Sequence, residues 1–258
     1  MGDAGSYQGQ WVEKRALIIG RAYPEPSKKH IETVCTGAIT ESGELIRLYP
    51  VSLRYLDENQ QYKLWTWVSF EAKKSEEDKR KESYRVREDS IRVLGEVESA
   101  AERFSLLKKA ISRHREELEV AYREQWTSLG IIPVELTDIS VKKHDSRPAQ
   151  QQQRLDVEVL PLDGFPADIR VKYRCRNNPS CRGHESSIIA WEYAQAFRSF
   201  KVKYGDSGAP RKIQEGLEER FKSSNRDVYA LIGTHSRYPV WMIGQLYAFD
   251  RNLPEMLF

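Results

Sequence analysis

Cysteine is scarce in this chain, three in 258 residues, which leaves no disulfide framework to build on. Long hydrophobic runs are missing too: nothing approaches the roughly 20 apolar residues of a membrane-spanning helix, and none precedes Trp11. Neither a secretory leader nor a span is therefore expected, and the expected location is the cytoplasm. A glycine-rich phosphate loop, a G-x-S-x-G elbow and an H-E-x-x-H helix are all absent, which removes the usual sequence grounds for a P-loop NTPase, a serine hydrolase or a zincin. Charge of one sign is not in excess: 41 Lys and Arg face 38 Asp and Glu, for a net +3. Such a balance permits a polyanionic partner without demanding one.

What is present is enough for a sizeable core, since 40% of the chain is hydrophobic. Residues 1–10 are small and polar and read as a disordered tail. Strand signals follow. ALIIG over Ala16–Gly20 is a short apolar run, and ETVCTGAIT, ESG and ELIRLYPV read as a hairpin turning at Ser42-Gly43. Trp65–Lys73 alternates apolar with polar residues, and Ile91–Val97 adds another strand. The charged segment Lys73–Arg87 reads as a solvated strand end plus a loop. Between Ala100 and Trp126 the period becomes helical, with Phe104, Leu107, Ile111, Leu118 and Tyr122 along one stripe. A strand over IIPVELTDISVKKH, a low-complexity loop at Asp145–Arg154 and a strand Ile169–Cys175 come next. A helix from Glu185, a second helix over Pro210–Phe221 and a closing hairpin of DVYALIG and VWMIGQLYAF complete the chain. Local connections without long crossover helices predict an α+β protein with a curved antiparallel sheet or small barrel and about four helices. The division expected is an N-terminal sheet plus helix at 11–144 and a C-terminal α+β part at 155–258 packed closely on it.

Cys175, Cys181 and His184 gather three borderline-soft ligands within ten residues, in YRCRNNPSCRGH. Thiolate and imidazole suit zinc, and a structural site wants a fourth ligand, for which Cys35, His235 and a solvent molecule are the candidates. The bland alternative is two reduced cysteines and a turn histidine. Arginine and tyrosine interleave in Arg47, Tyr49, Arg54 and Tyr55, which is both what a phosphate-and-base surface needs and what strand packing looks like. Arg170, Lys172 and Arg174 fall on one face of a strand, a row of charge that asks for an anion. For catalysis, Asp57 followed by Glu71 and Lys73 has the order of a Mg²⁺-dependent nuclease, and Glu192 could place one carboxylate near the Cys/Cys/His turn.

The phrases LIRLYPVSLRYL, DKRKESYRV, TSLGIIPVEL, YRCRNNPSCRGHESSIIAWE and LIGTHSRYPVWMIG resemble those of an uncharacterised family of bacterial proteins of similar length. The resemblance runs from Arg15 onward. It implies a bacterial cytosolic origin, one integrated unit, and matching positions at Arg47, Arg54, Cys175, Cys181, His184, Trp191 and Glu192. It implies no activity. Where the pattern has an acid before Trp-Glu, this chain has Ala190. The resulting expectation is a nucleic-acid-binding component of genome defence or repair with a zinc-pinned turn. A Mg²⁺-dependent nuclease and a protein-protein scaffold subunit are the alternatives.

Overall fold

A computed structural model describes residues 9–27, 30–144, 164–235, 238 and 240–252. The expected loop at Asp145–Arg154 and most of the expected tail lie outside these residues. Two rings of five strands organise the chain.

The first ring comprises β1 (Val12–Arg21), β3 (Ile31–Thr40), β4 (Leu45–Val51), β5 (Thr66–Lys74) and β6 (Ser83–Val86). Their order is β1-β3-β4-β6-β5, and β5 pairs back onto β1 to close the barrel. A three-residue β2 (Glu25–Ser27) borders β3, and β7 (Arg92–Glu96) borders β5. Every pairing is antiparallel except one: β4 and β6 run parallel, with Arg47 beside Ser83 and Leu48 beside Tyr84. That pair corrects the expected all-antiparallel sheet. Its crossover consists of a 3-10 turn (Leu53–Tyr55) and β5 itself, so no long helix betrays it in the sequence. The charged segment after Lys73 likewise conceals β6, whose Tyr84 and Val86 are buried.

The second ring is β10-β9-β8-β11-β12: β8 (Leu129–Lys143), β9 (Ala167–Cys175), β10 (His184–Ser187), β11 (Arg226–Thr234) and β12 (Trp241–Asp250). A parallel bridge between Ile188 and Ile243 brings the end of β10 against β12. Thus β8, which the sequence reading grouped with the N-terminal part, is the first strand of the second ring. Numbered within each ring, both have strand order 1-2-3-5-4, with the third and fifth strands parallel. This is the connectivity of the OB-fold.

Among the described residues three helices accompany the strands, where about four were expected. The stripe from Ala100 to Trp126 is split into α1 (Ala100–Lys108), capped by Ser99, and α2 (Arg115–Gln125), capped by His114. Between them Ile111 bridges to Ile131 of β8, and that contact interrupts the helix. His184–Ser187 is strand rather than the start of a helix; α3 begins at Trp191 and runs to Phe221, bent at Gly205 (φ 72°). It occupies the position between the third and fourth strands of the second ring. Among the described residues no helix is long and apolar enough to cross a membrane.

Period-2 alternation sorts the apolar residues into three cores. Ala16, Ile18, Ile46, Leu48, Val68 and Phe70 fill the first barrel. Ile132, Val134, Val171, Tyr173, Ala230 and Ile232, with Phe197 and Leu217 of α3, fill the second. The opposite faces of the same strands, Leu17 and Ile19 with Leu129, Ile131, Leu231 and Tyr247, pack barrel on barrel. That shared cluster makes one body of the two rings.

Candidate nucleic-acid cleft and metal cluster

The alternation that points Val34, Ala38, Ile46 and Leu48 inward points Thr33, Cys35, Gly37, Arg47 and Tyr49 to the outside of the first barrel. Gly37 lies directly across from Arg47 in the β3–β4 ladder. Above this face stand Leu231, Gly233 and Thr234 of β11, Met242 and Gly244 of β12, and Leu129 of β8. Together they enclose a cleft of about 120 Å³ between the barrels.

Arg47 lies in its wall and is only 3% exposed. Its Nη1 donates to Ser128 Oγ at 2.8 Å and its Nη2 to the Ser128 carbonyl at 3.3 Å. Ser128 Oγ donates in turn to Glu82 Oε2 at 3.0 Å, while Glu82 Oε1 accepts from the backbone N–H groups of Ser128 and Leu129 at 2.8 and 3.2 Å. The guanidinium therefore meets its balancing charge through a hydroxyl instead of a direct fork, and burial lowers its pKa from the usual value. Gly233 makes room for it: a Cβ there would stand 3.0 Å from Arg47 Nη2. Thr234 is 4% exposed, and its hydroxyl has no hydrogen-bond partner among the described residues.

Arg80, from the β5–β6 loop, also lines the cleft and donates to the Thr234 carbonyl at 2.9 Å. Asp78 holds it in a fork through Nε at 2.9 Å and Nη2 at 2.6 Å. Burial opposes the Asp78 charge, yet Arg80 and the Ser83 hydroxyl hold that carboxyl below its ordinary range. Aromatic rings stand in the same region: Tyr49 (44% exposed) and the half-buried His235 line the cleft, and Tyr238 (61%) stacks on His235 at 5.2 Å. Lys79, next to Arg80, lies 5.6 Å over the ring of Trp126.

The remaining expected site residues have separate surroundings. Arg54 donates to Glu32 at 2.8 Å and, with Tyr55, belongs to the 3-10 turn between β4 and β5. Arg170 and Lys172 are exposed on β9 as the alternation required, but intramolecular carboxylates already meet them: Asp168 and Glu185 at 3.0 and 3.4 Å for Arg170, Asp138 at 3.4 Å for Lys172. Arg174 extends the row without a carboxylate in ion-pair range among the described residues. Glu71 pairs with Arg87, Lys73 reaches Glu76 at 3.6 Å, and Asp57 sits in a turn where its carbonyl accepts from Gln60 and Gln61. Glu192 faces the junction of the barrels, not the metal turn, with Oε1 on Arg21 at 2.6 Å and Oε2 on Gln245 at 3.4 Å.

The carboxylate at the Cys/Cys/His turn is Glu116, in the first turn of α2. The ligand atoms of Glu116, Cys175, Cys181 and His184 all lie within 4.8 Å of one another, an arrangement that could hold a metal ion. This replaces Cys35 and His235 as the fourth-ligand candidates; both belong to the cleft. Within the cluster His184 Nε2 lies 3.1 Å from Glu116 Oε1, and Cys181 Sγ accepts from the Cys175 N–H at 3.3 Å. Burial pushes the Cys175 thiol up to about 12, and burial followed by the Arg115 charge lowers His184. Glu116 escaped sequence reasoning because 59 residues separate it from Cys175; the pairing of β8 with β9 and the packing of α2 bring it there.

The fold and site together define a protein of two tandem OB-type barrels with a basic, aromatic-edged cleft between them. The chain belongs to the family described as domain of unknown function DUF8757, which matches residues 111–257, preceded by domain of unknown function DUF8758 over residues 12–109. Among curated proteins none matches it. Among solved structures it is similar to the tetrameric p202 HIN2 (7% identity, TM-score 0.31, covering 95% of this chain and 98% of that one). It is similar also to a murine DNA binding protein bound with double-stranded DNA (6%, TM-score 0.32, 95% and 98%). A third is a replication protein A heterotrimer bound to single-stranded DNA (9%, TM-score 0.22, 93% and 66%). TM-scores this low bear no weight in the assignment of the fold, which rests on the strand order.

Proposed function

We propose that the protein binds nucleic acid across the outer face of β3 and β4, with the Glu/Cys/Cys/His cluster holding a structural zinc ion. The observation that carries the reading is the placement of Arg47, Tyr49 and Arg80 on the strand face and loop through which OB barrels meet oligonucleotides. Because a fold alone assigns no function, the residue chemistry matters more. Guanidinium groups supply donors for phosphate or base edges, and Tyr49, Tyr238 and Trp126 supply exposed flat rings for stacking. The face of β9 with Arg170, Lys172 and Arg174, and Arg54 with Tyr55 beyond β4, are further positions proposed for the backbone of a longer strand.

Zinc is favoured over harder ions by the donor set of two sulfurs, one imidazole and one carboxylate. Tetrahedral zinc with Zn–S near 2.3 Å has ligand edges of about 3.8 Å, so the cluster needs only a modest contraction. Bound there, the ion ties α2 to the β9–β10 turn. The cellular setting proposed is that of a bacterial cytoplasmic protein of genome defence or repair.

The test is fluorescence anisotropy of single-stranded DNA and RNA oligomers over a range of salt. Binding should weaken as salt rises, and Arg170→Ala with Arg174→Ala should make the log–log slope shallower by roughly 1.4, the value for two phosphate contacts on a single strand. Salt-independent or absent binding would favour the scaffold reading. Mg²⁺-dependent cleavage lost in Glu71→Gln would favour the nuclease built on Asp57, Glu71 and Lys73.

A further inference from the structure

Three features of the cleft between the barrels are not explained by binding a phosphate backbone alone. It is a recess open on one side, it is walled largely by the apolar side chains of Leu129, Ile189, Leu231 and Met242, and it holds two polar side chains that are more than nine-tenths buried, Arg47 and Thr234. A phosphate would waste the apolar walls. It would also enter a site where Glu82 already balances the Arg47 charge through Ser128. A flat, neutral, polar ring uses both the walls and the donors.

The geometry points to a pocket for one pyrimidine base, taken from a single strand that crosses the β3–β4 face; the inference rests on the nucleic-acid reading above. Size favours a single ring: the cleft, at about 120 Å³, is comparable with the roughly 150 Å³ cavity that accepts a benzene ring, so one six-membered ring fills it and a fused purine would extend out through its open side. The chemistry agrees. Cytosine, uracil and thymine all carry a carbonyl at C2, an acceptor for the guanidinium edge of Arg47 that Ser128 does not occupy. At N3 they differ, cytosine accepting and uracil or thymine donating. A threonine hydroxyl can do either, and that of Thr234, buried in the cleft wall, has no hydrogen-bond partner among the described residues. Tyr49, 44% exposed at the edge of the cleft, is placed to stack the neighbouring base.

The experiment titrates the full chain with CMP, UMP, GMP, AMP and ribose 5-phosphate by isothermal calorimetry, alongside anisotropy with single-stranded 12-mers of pyrimidine and of purine. CMP and UMP are expected to bind at least tenfold more tightly than GMP and AMP, with ribose 5-phosphate not binding. Thr234→Val, which keeps the shape, and Arg47→Lys, which keeps the charge and loses the fork, should each weaken CMP at least tenfold, with thermal melts reporting that each variant folds. Purine nucleotides or ribose 5-phosphate binding as tightly as CMP would overturn the pocket, as would unchanged CMP affinity in the folded Thr234→Val protein. If the 12-mers bind without base preference and no nucleotide does, the pocket falls and the nucleic-acid reading stands. If CMP binds and neither 12-mer does, the pocket stands as a mononucleotide site and the wider reading falls. Failure of all ligands removes both.

Discussion

Replacing Thr234 with valine should make the protein more stable and less able to bind. The hydroxyl is buried with no partner among the described residues, and a buried polar group left unpaired costs about 1–3 kcal/mol. Valine has the same branched shape, removes that penalty and adds a buried methyl worth about 0.8 kcal/mol. The backbone contacts of position 234 survive the change, since its N–H donates to the Ser128 carbonyl at 3.0 Å and its carbonyl accepts from Arg80 at 2.9 Å. Allowing for imperfect packing of the new methyl, the net gain is about 1–2 kcal/mol. For a chain of this size that raises Tm by about 2–8 °C. Urea unfolding should give a higher midpoint at an unchanged slope, the signature of altered stability without altered compactness. A variant destabilised by 1 kcal/mol or more would refute the reasoning, because the hydroxyl must then have a partner in the free protein, such as a bound water, and would not be held in reserve for a ligand.

The other expectations concern the same cleft and the metal cluster. Gly233→Ala puts a Cβ 3.0 Å from Arg47 Nη2, 3.2 Å from Leu129 Cδ1 and 3.3 Å from the Ser128 carbonyl, so denaturation should show a loss of about 1–3 kcal/mol from overpacking, and oligomer affinity should fall as the guanidinium is displaced. Asp78→Asn breaks the fork on Arg80 and should cost about 1–3 kcal/mol at pH 7. The folded Asp78 carboxyl titrates below its ordinary value, so its contribution is complete above the ordinary carboxylate pKa. It is lost as pH falls through the depressed one, and wild type and variant should converge in stability there. Purified protein should contain about one equivalent of zinc; cobalt in its place should show the visible bands of tetrahedral thiolate ligation, and Glu116→Gln should weaken metal binding at least tenfold. Elemental analysis finding no metal in protein never exposed to chelator would remove the zinc.

Local pattern carried much of the architecture. Alternation in Trp65–Lys73 and in Ile169–Cys175, the Ser42-Gly43 turn and the final hairpin became β5, β9, the β3–β4 connection and β11–β12, because period and turn chemistry act over a few residues. Helix ends were less legible. The stripe from Phe104 to Tyr122 is continuous in sequence, yet the chain breaks it so that Ile111 can bridge to Ile131, a contact between segments that no local signal foretells. Closure was illegible for the same reason: one parallel pair, β4 with β6, turns an open sheet into a barrel, and its crossover is another strand.

Composition and spacing alone determined the soft-ligand triad Cys175, Cys181 and His184, the strand face of Arg170, Lys172 and Arg174, and the presence of Arg47 and Tyr49 on one strand. Only the tertiary structure decided what each of these faces. It supplied Glu116 to the triad and carboxylates to the β9 row. Above Arg47 and Tyr49 it set β11 of the other barrel, which encloses a cleft at a position where the sequence shows only an alternating strand. Side-chain identity and periodicity are encoded within an element. The partner across a contact is set by packing two barrels whose residues are more than two hundred positions apart, and burial, which turns an arginine and a threonine into a site, exists only once that packing is made.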